Sequence, residues 1–326
     1  MLPRAPGLWQ FAIDVGGTFA DVVAVSPTGE VVTHKCLSSG RTKGRVGRIL
    51  ATELHDDARA ADPDGFWAGA TLRVGPETRR VATSLGAGGR LVLEAALVPA
   101  PPPGTPYELD PGLPAPLVAM RWVLGLPAGA PLPAVEVRLG TTRGTNALLT
   151  RTGARTALVT TRGHGDVLAI GTQDRPRLFD LHIVKPAPLP ERVLEVDERL
   201  DADGRVLRAP DPARVRADLE ALRAAGIESV AICLLHAHTS PVHEQLVAAL
   251  ARQVGFAHVS VSSELARREK LVARAETTAL DAYLSPVLTA YVSVLEVGLA
   301  GAPLSIMTSA GGGGGCRVDG GMLTEI

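Results

Sequence analysis

Apolar and polar positions alternate with a period of two along the opening of the chain. Residues 11–15, 21–25 and 30–37 are rich in β-branched side chains, and Gly17-Thr18 and Ser26-Pro27-Thr28-Gly29 separate them. Proline presets φ at the second position of a turn, so the second separator has turn chemistry. The pattern predicts three short strands in a β-meander. Strand-like runs at 71–74, 79–83 and 90–93 follow among turns, and Pro99-Ala100-Pro101-Pro102-Pro103-Gly104 reads as a stiff connector. An inserted β-rich subdomain is expected over about 57–126.

From residue 135 onward the period switches back and forth between strand and helix. Strands are expected at 135–139, 155–160, 229–235, 259–261 and 303–308, with short helices at about 145–152 and 164–170. Residues 192–197 and 206–207 read as a hairpin around Asp201-Ala202-Asp203-Gly204. Asp211-Pro212 starts a helix, with an Asp cap and Pro at the first helical position. Val215, Leu219 and Leu222 form its apolar stripe, and Gly226 closes it. Ser240-Pro241 repeats the start signal, with Leu246, Ala249 and Leu250 inward. A long helical region runs from 267 to about 299, interrupted near Pro286. Alternating strands and helices indicate an α/β fold, and no repeat of 20–50 residues is visible.

The length of 326 residues suits roughly two domains of about 150 each. Hydrophobic residues make up 46% and the mean hydropathy is +0.17, which excludes disorder over most of the chain. A net charge of −1 supplies no basic field for nucleic acid. No uninterrupted apolar run reaches about 18 residues, so no membrane span is expected. The opening MLPRAPGLWQ has neither an apolar core nor a small-residue cleavage site of the secretory kind. Cys36, Cys233 and Cys316 are too scattered for a disulfide or zinc framework. A soluble cytoplasmic protein is the expectation. Asparagine has nearly vanished from the composition, yet one remains at Asn146, which argues that this position needs it.

Two segments carry candidate chemistry. In Asp14-Val15-Gly16-Gly17-Thr18-Phe19-Ala20-Asp21 a strand delivers Asp14 to a tight turn. Glycines remove Cβ atoms, so backbone N–H groups can approach a phosphate closely. The Thr18 hydroxyl can donate to a phosphate oxygen, and Asp14 and Asp21 can hold Mg²⁺ or its waters. The same residues also make a plain hairpin turn. Neither a Walker A loop nor the dinucleotide fingerprint fits. In Gly140-Thr141-Thr142-Arg143-Gly144-Thr145-Asn146 a strand gives way to a helix, where free N–H groups attract anions. Thr145 serves equally as a helix cap.

Other groups read more plainly. His164 is either an acid or base, or a loop histidine near the surface. His236, His238 and His243 lack a carboxylate or Cys at a metal-ligand spacing. Glu195, Asp197, Glu198 and Asp201 read as the solvated face of a hairpin. Arg267, Arg268, Lys270 and Arg274 among acids read as the ion-paired face of a helix.

Residues 13–39 (IDVGGTFADVVAVSPTGEVVTHKCLSS), 138–176 (RLGTTRGTNALLTRTGARTALVTTRGHGDVLAIGTQDRP) and 193–207 (VLEVDERLDADGRVL) resemble the N-terminal region of the hydantoinase A/5-oxoprolinase family. Residues 230–244 (VAICLLHAHTSPVHE) and 276–292 (ETTALDAYLSPVLTAYV) resemble its next domain. The β-rich insertion and HKCLSSGRTKG at 34–44 are closer to the 5-oxoprolinase branch. The likeness extends to about Gly312.

The resemblance implies lobes of the sugar kinase, Hsp70 and actin-like (ribonuclease H-like) group, with the β-rich insertion. It implies an N-terminal domain over 1–206 and the beginning of a second over 207–326. The implied reaction is ATP-dependent opening of the cyclic amide 5-oxo-L-proline to L-glutamate. Hydantoin opening, or a non-catalytic lobe that needs a partner chain, are the alternatives. ATP and Mg²⁺ are the implied cofactors. Asp14, Gly16, Gly17, Thr18 and Asp21 fall on the family's first phosphate loop, with Asp14 as catalytic residue and metal ligand. Gly140, Thr141, Thr142, Thr145 and Asn146 fall on its strand-to-helix motif. Two departures stand out. Ala20 replaces the usual Thr. After Ser309-Ala310-Gly311-Gly312 the family continues with a long catalytic domain, whereas this sequence ends at Ile326. A truncated chain is therefore expected, whose partners are the absent C-terminal region and a hydantoinase B-like domain or subunit.

Overall fold

A computed structural model of the chain describes residues 7–173, 179, 182, 184–307 and 313–315. It divides into two compact units. Among the described residues one comprises 7–146, 291–307 and 313–315, and the other Ala147–Ala290. The class is mixed α/β.

The first unit is built on a six-stranded sheet. Its order is Gly313–Gly315, Leu304–Met307, Val135–Thr141, Trp9–Val15, Phe19–Val25 and Val31–Leu37. The last three are the meander that the alternation predicts, each antiparallel to the next. Trp9–Val15 then pairs parallel with Val135–Thr141, which pairs parallel with Leu304–Met307. Period-two alternation fixes the two faces. Phe11, Ile13 and Val15 are buried with Ala20, Val22 and Ala24, while Asp14 and Asp21 lie on the opposite, exposed face.

The buried face packs against helix Ala115–Val123 and against Tyr291, Val292, Leu295 and Leu299. Residues 115–123 fall within the expected β-rich insertion, but they form a helix. Pro114 stands at its cap and Pro116 in its first turn. Proline fits there because the N–H it lacks has no intrahelical partner anyway.

The inserted β-rich part begins and ends earlier in the chain than expected. Its seven strands lie between Thr42 and Asp110, in the order Thr42–Arg45, Pro106–Asp110, Thr71–Val74, Glu77–Leu85, Arg90–Leu93, Glu53–His55 and Arg48–Leu50. It has its own core around Trp67, Leu72, Leu91 and Leu109. Asp62 ties it down by accepting from the indoles of Trp67 (2.7 Å) and Trp122 (3.2 Å).

The second unit holds a four-stranded parallel sheet, ordered Arg192–Val196, Thr156–Thr161, Ser229–Cys233 and His258–Val261. Its two central strands are buried throughout, as parallel strands covered on both faces are. The expected boundary at 206 does not coincide with this unit. Thr156–Thr161, before it, pairs directly with Ser229–Cys233, after it. The expected hairpin is also redistributed. Arg192–Val196 joins the parallel sheet, and Arg199–Leu200 pairs with Val206–Arg208 instead. Helix Pro212–Ala224 starts where Asp211 accepts from the amides of Ala213 and Arg214. Helix Val242–Val254 has no such side-chain cap from Ser240.

Helix Leu271–Leu299 runs through Pro286 without interruption. It is the one helix among the described residues long and apolar enough to cross a membrane. Ala275, Ala279 and Ala282 sit in one hydrophobic core, and Tyr291, Val292, Leu295 and Leu299 in another. Packing at both ends outweighs the roughly 3 kcal/mol that an internal proline costs. The segments 309–312 and 316–326, with Cys316, lie outside the described residues.

Two charged groups expected in solvent are buried. Glu198 is 2% exposed; it accepts from the Thr161 hydroxyl and lies 2.6 Å from His243 Nδ1. Arg274 is fully buried, donating to Ser262 Oγ (2.6 Å) and to the Leu234 carbonyl (3.0 Å), 3.8 Å from Glu244. Glu244 in turn accepts from the Leu234 amide and Ser262 Oγ. Removing one member of a buried pair leaves the other charge uncompensated. Arg274→Ala is expected to cost about 3–5 kcal/mol in urea unfolding, against about 1 kcal/mol for Asp211→Ala at a helix cap. Equal losses from the two would contradict the buried network.

Candidate functional site

The candidate residues converge in the first unit, at the carboxyl ends of two neighbouring parallel strands. Asp14 stands opposite Gly140 and Val15 opposite Thr141. The turn 16–18 closes through Gly16 N–H donating to the Phe19 carbonyl at 3.0 Å. The second loop is tied to the first, because the Thr142 amide donates to the Val15 carbonyl at 3.1 Å. Asn146 then donates through Nδ2 to Thr142 Oγ1 at 3.2 Å. Its side chain lies over Gly17, where an added Cβ would come within 3.3 Å of Nδ2. Glycine allows this close approach without displacing Asn146.

Asp14, Asp21 and Lys35 form a row across three strands on the exposed face. Lys35 Nζ is 2.7 Å from Asp21 and 5.0 Å from the centre of the Phe19 ring. The Asp14 carboxylate has no such partner among the described residues. Like charges directly opposite on a sheet repel, so this pairing leaves room for a cation at Asp14. A Cβ at Gly140 would lie 3.2 Å from Asp14 Oδ1, so glycine there gives the carboxylate its space.

Gly17 and Thr18 amides, and the Thr18 hydroxyl, donate to nothing among the described residues. Thr141 Oγ1 accepts from the Arg143 amide at 3.2 Å. Thr145 is exposed on the first turn of helix Arg143–Leu149, and among the described residues no hydrogen bond ties its side chain to the loops. Of the candidate residues it is the one not drawn into the junction.

Sequence reasoning misses three participants. Ser38, just past the third strand, donates its hydroxyl to the Gly16 carbonyl (2.7 Å) and its amide to the Thr18 carbonyl (2.9 Å). Its presence in the Ser38-Ser39 pair before Gly40 was the only signal. Arg143 lies 4.6 Å from the centre of the Tyr291 ring. Burial pushes the Tyr291 phenol up to about 12, and its hydroxyl has no partner among the described residues. The contact joins residues far apart in sequence, and nothing in either segment signals it. The departure at Ala20 is also relocated: its side chain is fully buried in the core, on the face opposite Asp21.

His164, His236, His238 and His243 belong to the second unit. His164 is half-buried, and its Nδ1 has no partner among the described residues. His243 is taken up by Glu198. No group of three or more His, Cys, Asp or Glu among the described residues is arranged to hold a metal. A cavity of about 250 Å³ in this unit is lined by Arg162, Asp197, Glu198, Arg199, Leu207 and Arg208. Asp197 already takes Arg208 at 2.6 Å and Arg162 at 3.3 Å, so its charge is largely self-neutralised.

With this geometry in hand, comparison with known proteins defines the class. The model of the hydantoinase/oxoprolinase N-terminal region matches residues 10–74 and 128–255, more than half of the chain. The chain belongs to the hydantoinase/oxoprolinase family. The gap in the match falls across much of the inserted sheet and the helix that follows it.

Among individual relatives, it is 38% identical over 234 residues to the 5-oxoprolinase of Saccharomyces cerevisiae, covering 62% of this chain and 18% of that protein. It is 37% identical over 308 residues to 5-oxoprolinase 1 of Arabidopsis thaliana, covering 88% of this chain and 20% of that protein. The chain thus spans about a fifth of the length of these relatives. The nucleotide-free structure of an acetone carboxylase shares its fold, with a TM-score of 0.59 and 17% identity over 97% of this chain and 38% of that one. So does an ATP-dependent caprolactamase from Pseudomonas jessenii, with a TM-score of 0.56 and 21% identity over 93% and 36%.

Cys36 flanks the row of charges, with Sγ 3.8 Å from the Ala115 carbonyl. Burial, and secondarily the negative charge of Asp21, push its thiol up to about 11. Only the thiolate is nucleophilic, so its reactivity is low below that pH and rises as pH passes through it. At pH 8 the native chain is expected to be alkylated at Cys36 about a hundredfold more slowly than an unperturbed thiol, read by peptide mass spectrometry. Labelling at the free-thiol rate would contradict this environment.

Proposed function

We propose that this chain is the nucleotide-binding part of an ATP-dependent enzyme that opens a cyclic amide, with 5-oxo-L-proline going to L-glutamate. The observation that carries the reading is the junction of two loops where, among the described residues, neither the Asp14 carboxylate nor the Gly17 and Thr18 amides have a partner. Backbone amides suit phosphate oxygens, and a carboxylate suits Mg²⁺. The combination fits a metal–polyphosphate better than either a bare anion or a bare cation.

In this reading Gly16, Gly17 and Thr18 cradle the phosphates. Asp14 holds the Mg²⁺ and aligns it for the chemistry, with Asp21 beside it. Gly140, Thr141, Thr142, Thr145 and Asn146 form the second wall. Lys35 neutralises Asp21 and so lowers the repulsion that the row of carboxylates places on Asp14. ATP when bound supplies a phosphoryl group that activates the oxygen of an unstrained, poorly electrophilic amide. The protein's share is positioning and charge neutralisation. The 5-oxoprolinases among the relatives and the ATP-dependent caprolactamase of like fold support this choice over hydantoin opening.

The meander followed by two parallel strands supports assigning the first unit to the sugar kinase, Hsp70 and actin-like class. Because the chain spans about a fifth of its relatives, the remaining catalytic region and a hydantoinase B-like domain or subunit are its proposed partners. A soluble cytoplasmic setting accompanies that reading.

Calorimetry with Mg-ATP tests it. The chain is expected to bind weakly, with Kd between about 0.1 and 5 mM, and Asp14→Asn is expected to abolish the Mg²⁺ dependence and weaken binding about tenfold. Absence of saturable binding at millimolar nucleotide would favour a non-catalytic lobe. Unchanged Mg²⁺ dependence in Asp14→Asn would remove Asp14 from the site.

A further inference from the structure

We propose that Ser38 is the positioning residue that aims the Gly17 amide at the nucleotide; this rests on the nucleotide-binding reading above. A peptide unit is planar and trans, so its C=O and N–H point in opposite directions. The Gly16 carbonyl and the Gly17 N–H belong to one such unit. The Ser38 hydroxyl donates to that carbonyl at 2.7 Å and thereby turns the Gly17 N–H the other way. No other hydrogen bond reaches this peptide among the described residues.

The lock is needed because glycine flanks the peptide on both sides. The dihedrals on either side of the plane, ψ of Gly16 and φ of Gly17, are the softest available in a protein chain. A peptide flip there meets no Cβ and would swing an acceptor into the position of a donor. Neither glycine carries a side chain to stiffen the turn, and a Cβ at Gly17 would press on Asn146 Nδ2 at 3.3 Å. Control therefore has to come from outside the turn.

Ser38 is well placed to provide it. It follows directly on strand Val31–Leu37, whose last residue is in register with Phe19. Its own amide donates to the Thr18 carbonyl at 2.9 Å. One residue thus holds two carbonyls of the turn, while Val15 O is held by the Thr142 amide and Phe19 O by the Gly16 amide. These acceptors are all engaged elsewhere, and the Gly17 and Thr18 donors have no partner among the described residues.

The test compares Ser38→Ala and Ser38→Thr with the unaltered chain by calorimetry with ATP, with Mg²⁺ and with EDTA, and by amide hydrogen exchange of the nucleotide-free proteins. Ser38→Ala is expected to weaken ATP binding about three- to tenfold, with and without Mg²⁺, and to speed exchange of the Gly16 amide. Ser38→Thr keeps the hydroxyl and is expected to restore both within about twofold. Thermal midpoints should stay alike, which separates aiming from loss of fold. If the unaltered chain binds ATP and Ser38→Ala binds it equally well, the proposal is overturned. If the unaltered chain binds no ATP, the functional reading fails, and exchange still decides on the lock: faster exchange upholds it and unchanged exchange overturns it.

Discussion

The parallel pairing of Trp9–Val15 with Val135–Thr141 is the constraint on which the candidate site depends. It joins chain segments 127 residues apart, the separation between Val15 and Thr142. Placing Asp14 opposite Gly140 brings the glycine turn beside the strand-to-helix loop, and the Thr142 amide fixes their registry through the Val15 carbonyl. A one-residue slip would turn Asp14 into the core and Val15 into solvent. The buried row of Phe11, Ile13, Val135, Val137 and Leu139 opposes that slip.

The same pairing tolerates a large insertion. Loop-closure entropy grows only with the logarithm of loop length, so a seven-stranded sheet can sit between the two strands provided it folds on its own core. Trp67, Leu72, Leu91 and Leu109 provide that core. The family match is interrupted after residue 74 and resumes at 128. The strand that carries the second loop therefore lies in the matched part, although much of the insertion does not.

The meander was legible because its alternation is local and clean. The helix starting beyond Asp211 was legible because cap and proline signals are local too. Long-range choices were not. Arg192–Val196 carries the pattern of a hairpin strand, and only the buried partner Thr156–Thr161 decides that it joins a parallel sheet. Glu198 and Arg274 read as surface charges because their partners Thr161, His243 and Glu244 come from other elements. At the site, Asp14, the two glycines and the second loop could be picked out by residue type. Ser38 could not, because its role lies in which carbonyl it touches.

A crystal structure of the chain with a nonhydrolysable ATP analogue and Mg²⁺ would show whether the turn at residues 16–18 holds the polyphosphate. Phosphate oxygens are expected within hydrogen-bond distance of the Gly17 and Thr18 amides, with the metal on the Asp14 side of the turn. A polyphosphate bound away from residues 14–18, with those amides still facing solvent, would contradict this expectation.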